Sequence, residues 1–281
     1  MSDPSCQGRR MTTQTQEPTA PSRARQMLNK VPEVTAYFWL IKVMATTIGE
    51  TAADYLNDNL GLGLTVTTGV MSVLLVIALV AQFRCRRYVP AVYWVTVVLI
   101  SVVGTLITDN LTDNLGVSLW VTTTVFAVAL VAVFALWHRQ ERTLSIHSIV
   151  TTRREAFYWL AILVTFALGT AAGDLTAEQL NLGYAPSVGL FAAAIAVVAL
   201  AHYRFGLSAV TAFWVAYVLT RPLGASMGDL LSQARADGGL GLGTFVTSGV
   251  FLAAILGLVT YLTVTRRDAT EARRPGAVEA P

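Results

Sequence analysis

The chain has 281 residues, 54% of them hydrophobic and only 13% charged, with a formal net charge of +3 and a mean hydropathy of +0.57. An ordinary soluble domain carries about 25% charged residues, so this composition excludes a soluble globular enzyme and indicates an integral membrane protein. Apolar runs at 66–83 and 242–265 are long enough to cross a bilayer.

Residues 1–32 are rich in Ser, Thr, Gln, Pro and Arg and contain no apolar core of a signal peptide, so they read as a disordered basic cytoplasmic tail. Cys6 and Cys85 lie in or beside basic segments and are expected as free thiols rather than a disulfide.

From residue 38 onward one pattern recurs without gaps: an aromatic pair ending in Trp, Gly ten residues later, Asp five beyond. The copies are FWLIKVMATTIGETAAD (38–54), YWVTVVLISVVGTLITD (93–109), YWLAILVTFALGTAAGD (158–174) and FWVAYVLTRPLGASMGD (213–229). After each Asp comes a short Asn, Leu and Gly segment, then a second apolar run with hydroxyl residues at its start. Each copy therefore predicts two helices joined by a tight hairpin, giving an all-α integral membrane protein of eight transmembrane helices. Trp39, Trp94, Trp159 and Trp214 are 55, 65 and 55 residues apart. That spacing predicts two four-helix halves, 33–144 and 145–266, followed by a disordered cytoplasmic tail at 267–281.

The basic residues give the orientation. RCRR (84–87), HRQER (138–142), TTRRE (151–155) and HYR (202–204) all separate one copy from the next. Only Lys42 and Arg221 fall within spans and only Arg235 in an opposite hairpin, leaving 17 of the 20 Lys and Arg on one side. Positive residues mark the cytoplasmic side, so both termini are expected in the cytoplasm of a bacterial inner membrane. The four odd helices then run in one direction, as parallel repeats.

Each Trp is expected at the cytoplasmic interface, in an aromatic belt. The Asp fifteen residues on lies about 22 Å higher, in the outer third of the hydrocarbon layer. Intramembrane carboxylates are functional candidates by default, which makes Asp54, Asp109, Asp174 and Asp229 the predicted cation ligands, with Glu50 next. A second acidic shell, Asp58, Asp113 and Glu178, follows at i+4 on the same helix face, with Gln233 at the fourth equivalent position. Like charges so close require protonation or a bound cation. Oxygen donors of this kind, with Asn57, Asn59, Asn110, Asn114 and the Thr residues opening the even helices, suit hard cations such as Mn, Mg, Ca, sodium or protons.

Gly49, Gly104, Gly169 and Gly224 are expected to serve close helix packing. Lys42 and Arg221 break their odd helices. Lys42 can snorkel to the interface or, with Arg221, compensate carboxylate charge, and Pro222 beside Arg221 weakens its helix. His138, His147 and His202 fall outside the spans, which disfavours a site of nitrogen and sulfur ligands. Hydrolase and phosphate-loop motifs are missing, so no enzyme activity is expected.

The four copies, together with GETAADYL and GDLTAEQLNLGY, resemble a bacterial family of four-repeat membrane proteins labelled "uncharacterised membrane-anchored protein" and built from a repeat of unknown function. The resemblance spans about 33–266 and implies the architecture but no activity.

On the residues alone, the expected function is a secondary transporter, or exporter, of a hard divalent cation such as Mn, with proton exchange at the same carboxylates. The expected partners are therefore a metal cation, protons and the lipid bilayer. No nucleic acid and no resident cofactor are expected, the cation being substrate. The oligomeric state is open between monomer and homodimer. The alternatives are a non-transport membrane scaffold or stress-response protein, and an organic-cation carrier. One site of four Asp and two sites, one per half, both fit the spacing.

Overall fold

The computed structural model describes residues 29–59, 61 and 63–268. Cys6, residues 1–28 and residues 269–281 lie outside the described residues. The described chain is all helical, with eight long helices: α1 (Ala36–Asp54), α2 (Leu64–Arg84), α3 (Pro90–Asp109), α4 (Leu119–Glu141), α5 (Thr152–Asp174), α6 (Tyr184–Phe205), α7 (Ala209–Ser232) and α8 (Thr244–Thr265).

The odd helices start on capping chemistry. The Thr35, Thr151 and Ser208 hydroxyls accept from the backbone N–H of Phe38, Arg154 and Thr211, and α3 has Pro at its first turn. Three of them continue past the repeat Asp into a single π-helical turn (Tyr55–Asn59, Asn110–Asn114, Leu175–Gln179). Its i to i+5 bonds are seen at Leu115 N–H to Asn110 O (3.1 Å) and Leu180 N–H to Leu175 O (2.9 Å). The fourth ends at Ser232 and a longer loop carries a 3₁₀ turn, Arg235–Asp237. Gly63, Gly183 and Gly243 immediately precede α2, α6 and α8 at φ of 74°, 80° and 78°, the left-handed backbone that favours glycine and that the Leu-Gly segments supply.

The odd helices pack in one ring, α1 on α3, α3 on α5, α5 on α7 and α7 back on α1. The predicted hairpins are not packing units. Each even helix crosses over to cover the odd helix of the next repeat, α2 on α3, α4 on α5 and α6 on α7, and α8 closes the circle on α1. The two predicted halves are likewise not separate bodies, because α3 packs on α5 across their boundary as α1 packs on α3 within one half.

The repeat motif is the ring's construction rule. A Cβ on Gly49 would overlap Ser101, one on Gly104 would overlap Phe166, one on Gly169 would overlap Arg221 and one on Gly224 would overlap Thr46. Each partner lies three residues before the glycine of its own repeat, so one contact is made four times around the ring, in agreement with the packing role expected for these glycines. The aromatic pairs do the same. Phe38 stacks on Trp94 (centroids 5.6 Å apart), Tyr93 on Trp159 (5.4 Å), Tyr158 on Trp214 (6.1 Å) and Phe213 on Trp39 (5.7 Å).

This corrects the expected interfacial belt. Trp94, Trp159 and Trp214 are buried within the protein and Trp39 is half-buried, because each ring is consumed by its neighbour in the repeat circle. The four pairs form an aromatic layer across the end of the ring opposite the repeat Asp.

Among the described residues, six helices are long and apolar enough to cross a membrane: α2, α3 with its π turn, α4, α5 with its π turn, α6 and α8. Helices α1 and α7, which carry Lys42, Glu50, Asp54, Arg221 and Asp229, do not reach that apolarity. The even helices leave rows of large apolar residues uncovered, such as Val66, Val70, Val73, Ile77 and Val80 on α2, an outer surface suited to hydrocarbon rather than water.

Candidate functional site

Equivalent positions of the four odd helices stack as layers along the ring. One layer holds Lys42, Val97, Ile162 and Tyr217; the next Thr46, Ser101, Phe166 and Arg221; the next Glu50, Thr105, Thr170 and Ala225; the next the four repeat Asp. The four-residue spacing of the layers, about one turn, follows from helical periodicity, since residues four apart lie on one face.

Arg221 breaks out of its layer toward the acids. Its side chain is fully buried, and the absent side chain of Gly169 lets its stem lie flat between α5 and α7. Both terminal nitrogens donate to the same Glu50 carboxylate oxygen, each at 3.2 Å, and Nη1 also donates to Thr46 O at 3.4 Å. Nη2 donates to Thr170 Oγ1 at 2.6 Å and to Thr105 Oγ1. The threonine hydroxyls are themselves 3.3 Å apart, and that of Thr105 donates to Glu50 at 3.4 Å. One guanidinium thus ties α7 to α1, α3 and α5. Ala225, the fourth member of the Glu50 layer, sits one turn above Arg221 and adds only a methyl group there.

Carboxylate oxygens of Glu50, Asp174 and Asp229 all lie within 4.8 Å of one another. Glu50 and Asp229 are buried and Asp174 is half-buried. These three come from α1, α5 and α7, and therefore from both predicted halves. One cluster spans the boundary, so the alternative of a separate site in each half does not describe the geometry. Asp54 and Asp109 are half-buried at the same level but do not belong to this close trio. Three hard oxygen donors at this separation suit a divalent or alkali cation.

The second acidic shell behaves differently. Asp113 and Glu178 lie in the π turns and are exposed. They stand one turn beyond the repeat Asp, where the chain leaves the ring, so their carboxylates reach the surface instead of joining the close trio. Asp58 lies in the first π turn, and its side chain falls outside the described residues.

The Asn and Thr residues expected near a cation are largely used in packing. Asn110 Nδ2 donates to Thr68 Oγ1 at 2.6 Å and Asn114 Nδ2 to Asn110 Oδ1 at 2.8 Å, which pins the second π turn to α2. Thr122, Ser187 and Thr247, at the openings of even helices, return their hydroxyls to the backbone carbonyl four residues before. Thr105 and Thr170 are the polar residues that motif reading missed. Their signal was available, since both occupy the Glu50 position of their repeats.

Lys42 does not snorkel and does not compensate a carboxylate. It is 1% exposed, and its Nζ has no hydrogen-bond acceptor among the described residues. The ammonium group lies over the faces of Phe166 (4.5 Å) and Tyr217 (4.4 Å), while the Arg221 guanidinium lies 5.3 Å from the same Phe166 centroid. Below it, Tyr93 Oη and Tyr158 Oη are 2.5 Å apart within the aromatic layer. An apolar cavity of about 570 Å³ between α1, α6 and α7 opens on the outside of the ring and does not reach the acids.

No curated protein and no solved structure matches the chain. The family model described as "Repeat of Unknown Function (DUF347)" matches it four times, at residues 37–88, 92–143, 157–207 and 212–268. These matches each hold one odd and one even helix, cover most of the chain and coincide with the ring's structural repeat: the chain belongs to that family.

Proposed function

We propose that this is a secondary transporter of a hard cation, a divalent metal such as Mn, in which Glu50, Asp174 and Asp229 bind the ion and Arg221 takes its place on Glu50 when the ion leaves. The observation that carries this reading is the meeting of three carboxylates from three helices, one of which is bonded by a fully buried guanidinium. A permanently charged side chain in that position serves as an internal counter-ion, because an unbalanced carboxylate at this depth is costly. Asp54 and Asp109 form the approach to the site, and proton exchange at the same acids balances the remaining charge. In this reading all eight helices cross the bacterial inner membrane, α1 and α7 being shielded by the others, and both termini are cytoplasmic on the side of the basic loops.

Thermal unfolding of the purified protein against Mg, Ca, Mn, Co, Zn and sodium tests it. A cation that binds only the folded form at a hundred times its Kd adds about 2.7 kcal/mol. One cation should raise the melting temperature, and Asp174→Asn and Asp229→Asn should remove the shift. No shift by any cation, with both variants as stable as the parent, would leave the second reading, a non-transport scaffold. That reading is favoured by one observation, the tying of all four odd helices by Arg221. Uptake assays with alkylammonium ions address the organic-cation alternative, which the lodging of an ammonium between Phe166 and Tyr217 supports.

A further inference from the structure

The end of the ring beneath the aromatic layer carries a second polar cluster, built from residues at the ends of the repeats and just outside them. Lys30, ahead of the first repeat, donates to Glu155 Oε2 at 2.6 Å and to Phe83 O at 3.2 Å. Gln82 Nε2, at the end of α2, donates to Glu155 Oε1 at 3.3 Å. Beyond α8, Asp268 accepts from Tyr88 Oη at 2.6 Å, and its carbonyl accepts from Glu33 N–H at 3.0 Å. Glu155, Gln82 and Asp268 are each no more than 2% exposed. The segment before α1 thus joins two bonded groups, one with the end of α2 and the start of α5 and one with Tyr88 and the segment after α8.

Three features distinguish this knot from an ordinary structural staple. The Lys30–Glu155 pair sets a half-buried ammonium group against a fully buried carboxylate, so that losing Lys30 would leave a charge uncompensated in the interior. The network is only partly satisfied: Asn29 Oδ1, Gln82 Oε1 and Asp268 Oδ1 are buried with no partner among the described residues, an arrangement poorer in stability than an apolar plug of the same size. It also connects directly to the sealing layer, because the Tyr88 ring packs edge-on against Tyr93 at 5.7 Å, and Tyr93 bonds Tyr158 across α3 and α5.

We propose that Lys30, Glu155, Gln82, Tyr88 and Asp268 form the latch of a gate, which holds the aromatic layer shut on the basic side of the ring while the acidic site communicates with the opposite side. The proposal rests on the transport reading, since only a carrier needs this end to open. Release of the Lys30–Glu155 pair frees the start of α5 and, through the Lys30–Glu33 segment and its bond to Asp268, loosens Tyr88 and with it the Tyr93–Tyr158 contact, exposing the Lys42 layer to the basic side.

The test places a thiol in that layer, Val97→Cys, in a Cys6→Ser/Cys85→Ser background reconstituted in sealed vesicles, and measures labelling by a membrane-impermeant maleimide from each side. Val97 is completely buried, so the parent should label slowly from both sides. Lys30→Met/Glu155→Gln, which removes both charges while keeping the shape of the knot, should label at least tenfold faster from the basic side only. Tyr88→Phe should give a smaller increase in the same direction and serves if the double variant does not fold. Leu130→Ala, a cavity in α4, controls for general loosening. Unchanged labelling in folded latch variants, or an equal increase in Leu130→Ala, overturns the gate. If a cation stabilises the protein but labelling does not change, the gate falls and the transport reading stands. If labelling rises but no cation binds, the transport reading falls and the latch remains as a conformational switch.

Discussion

Arg221 and Glu50 lie 171 positions apart in the chain and 3.2 Å apart in the protein, on the first and last odd helices, where the ring closes. Neither helix is among the six most apolar ones. Their charges are buried only because the ring brings them together. Removing one partner of a buried pair costs about 3–5 kcal/mol, whereas replacing both by apolar groups is often neutral. Glu50→Gln and Arg221→Met should each lower the midpoint of unfolding strongly, and Glu50→Met/Arg221→Met should recover most of the loss. A double-mutant cycle by thermal unfolding in detergent measures this, and strict additivity would show that the pair does not act as a unit.

Thr105 and Thr170 give a finer probe of the same contact. Thr170→Val keeps the shape but removes an acceptor of Arg221, and should cost about 1–3 kcal/mol. Thr263→Val, whose hydroxyl donates only to its own helix at Val259 O, should cost less than 1 kcal/mol by the same assay. Equal losses would mean that the central hydroxyls are not specifically engaged.

The glycines divide into two classes that sequence does not distinguish. Gly104→Ala and Gly49→Ala place a methyl group inside a neighbouring helix and should destabilise by several kcal/mol or abolish assembly of the ring. Gly69→Ala and Gly249→Ala, in α2 and α8, meet nothing within 4 Å and should stabilise by about 0.5–1 kcal/mol through helix propensity. Expression yield and melting temperature of the four variants suffice to compare them.

Tyr88 predicts a response to alkaline pH. Burial, reinforced by the Asp268 carboxylate, holds its hydroxyl well above the ordinary value of 10.0. The folded state therefore retains a proton that the unfolded state releases. The stabilisation is fully present below about pH 10 and declines as pH rises beyond it. A melting series from pH 8 to 11 should show a shallower alkaline loss in Tyr88→Phe than in the parent, although the variant starts lower for want of its bond to Asp268. Parallel curves would mean that this hydroxyl is not buried as described.

Much of the architecture was legible in the sequence because every copy of the repeat obeys the same short-range rule. Trp, Gly and Asp at fixed spacing place three kinds of contact at three levels of a helix, and four copies imply four equivalent odd helices. The ring was not legible, because the pairing of Gly49 with Ser101 or Phe38 with Trp94 depends on which helices become neighbours. The same gap explains the misplaced aromatic belt: a Trp near a helix start satisfies an interface or a neighbouring ring equally well by composition.

At the site, the acids and Arg221 were identifiable as charges in apolar surroundings, but not which carboxylate Arg221 chooses. The spacing of Asp113 and Glu178 was legible but their exposure was not, because no residue in NLTDN or LTAEQ announces where the helix end leaves the ring. Lys42 was misread because a lysine near one end of a span ordinarily reaches water, and only the rings of Phe166 and Tyr217, contributed by two other repeats, make its burial tolerable.

The closure of α8 on α1 carries a consequence for the connectivity of the chain. Every odd helix is covered by the even helix of the repeat before it, so in space the ring has no first repeat, and the segment joining α4 to α5 is one of several places where it could be cut. Glu33 N–H and Asp268 O meet at 3.0 Å, so a short linker joining residues 33 and 268, with new termini in the 142–151 loop, should yield a circular permutant with the same ring. By the same logic a two-repeat chain would have an uncovered α1 and a homeless last helix, each suited to the other. Two such chains would complete the circle as a head-to-tail pair.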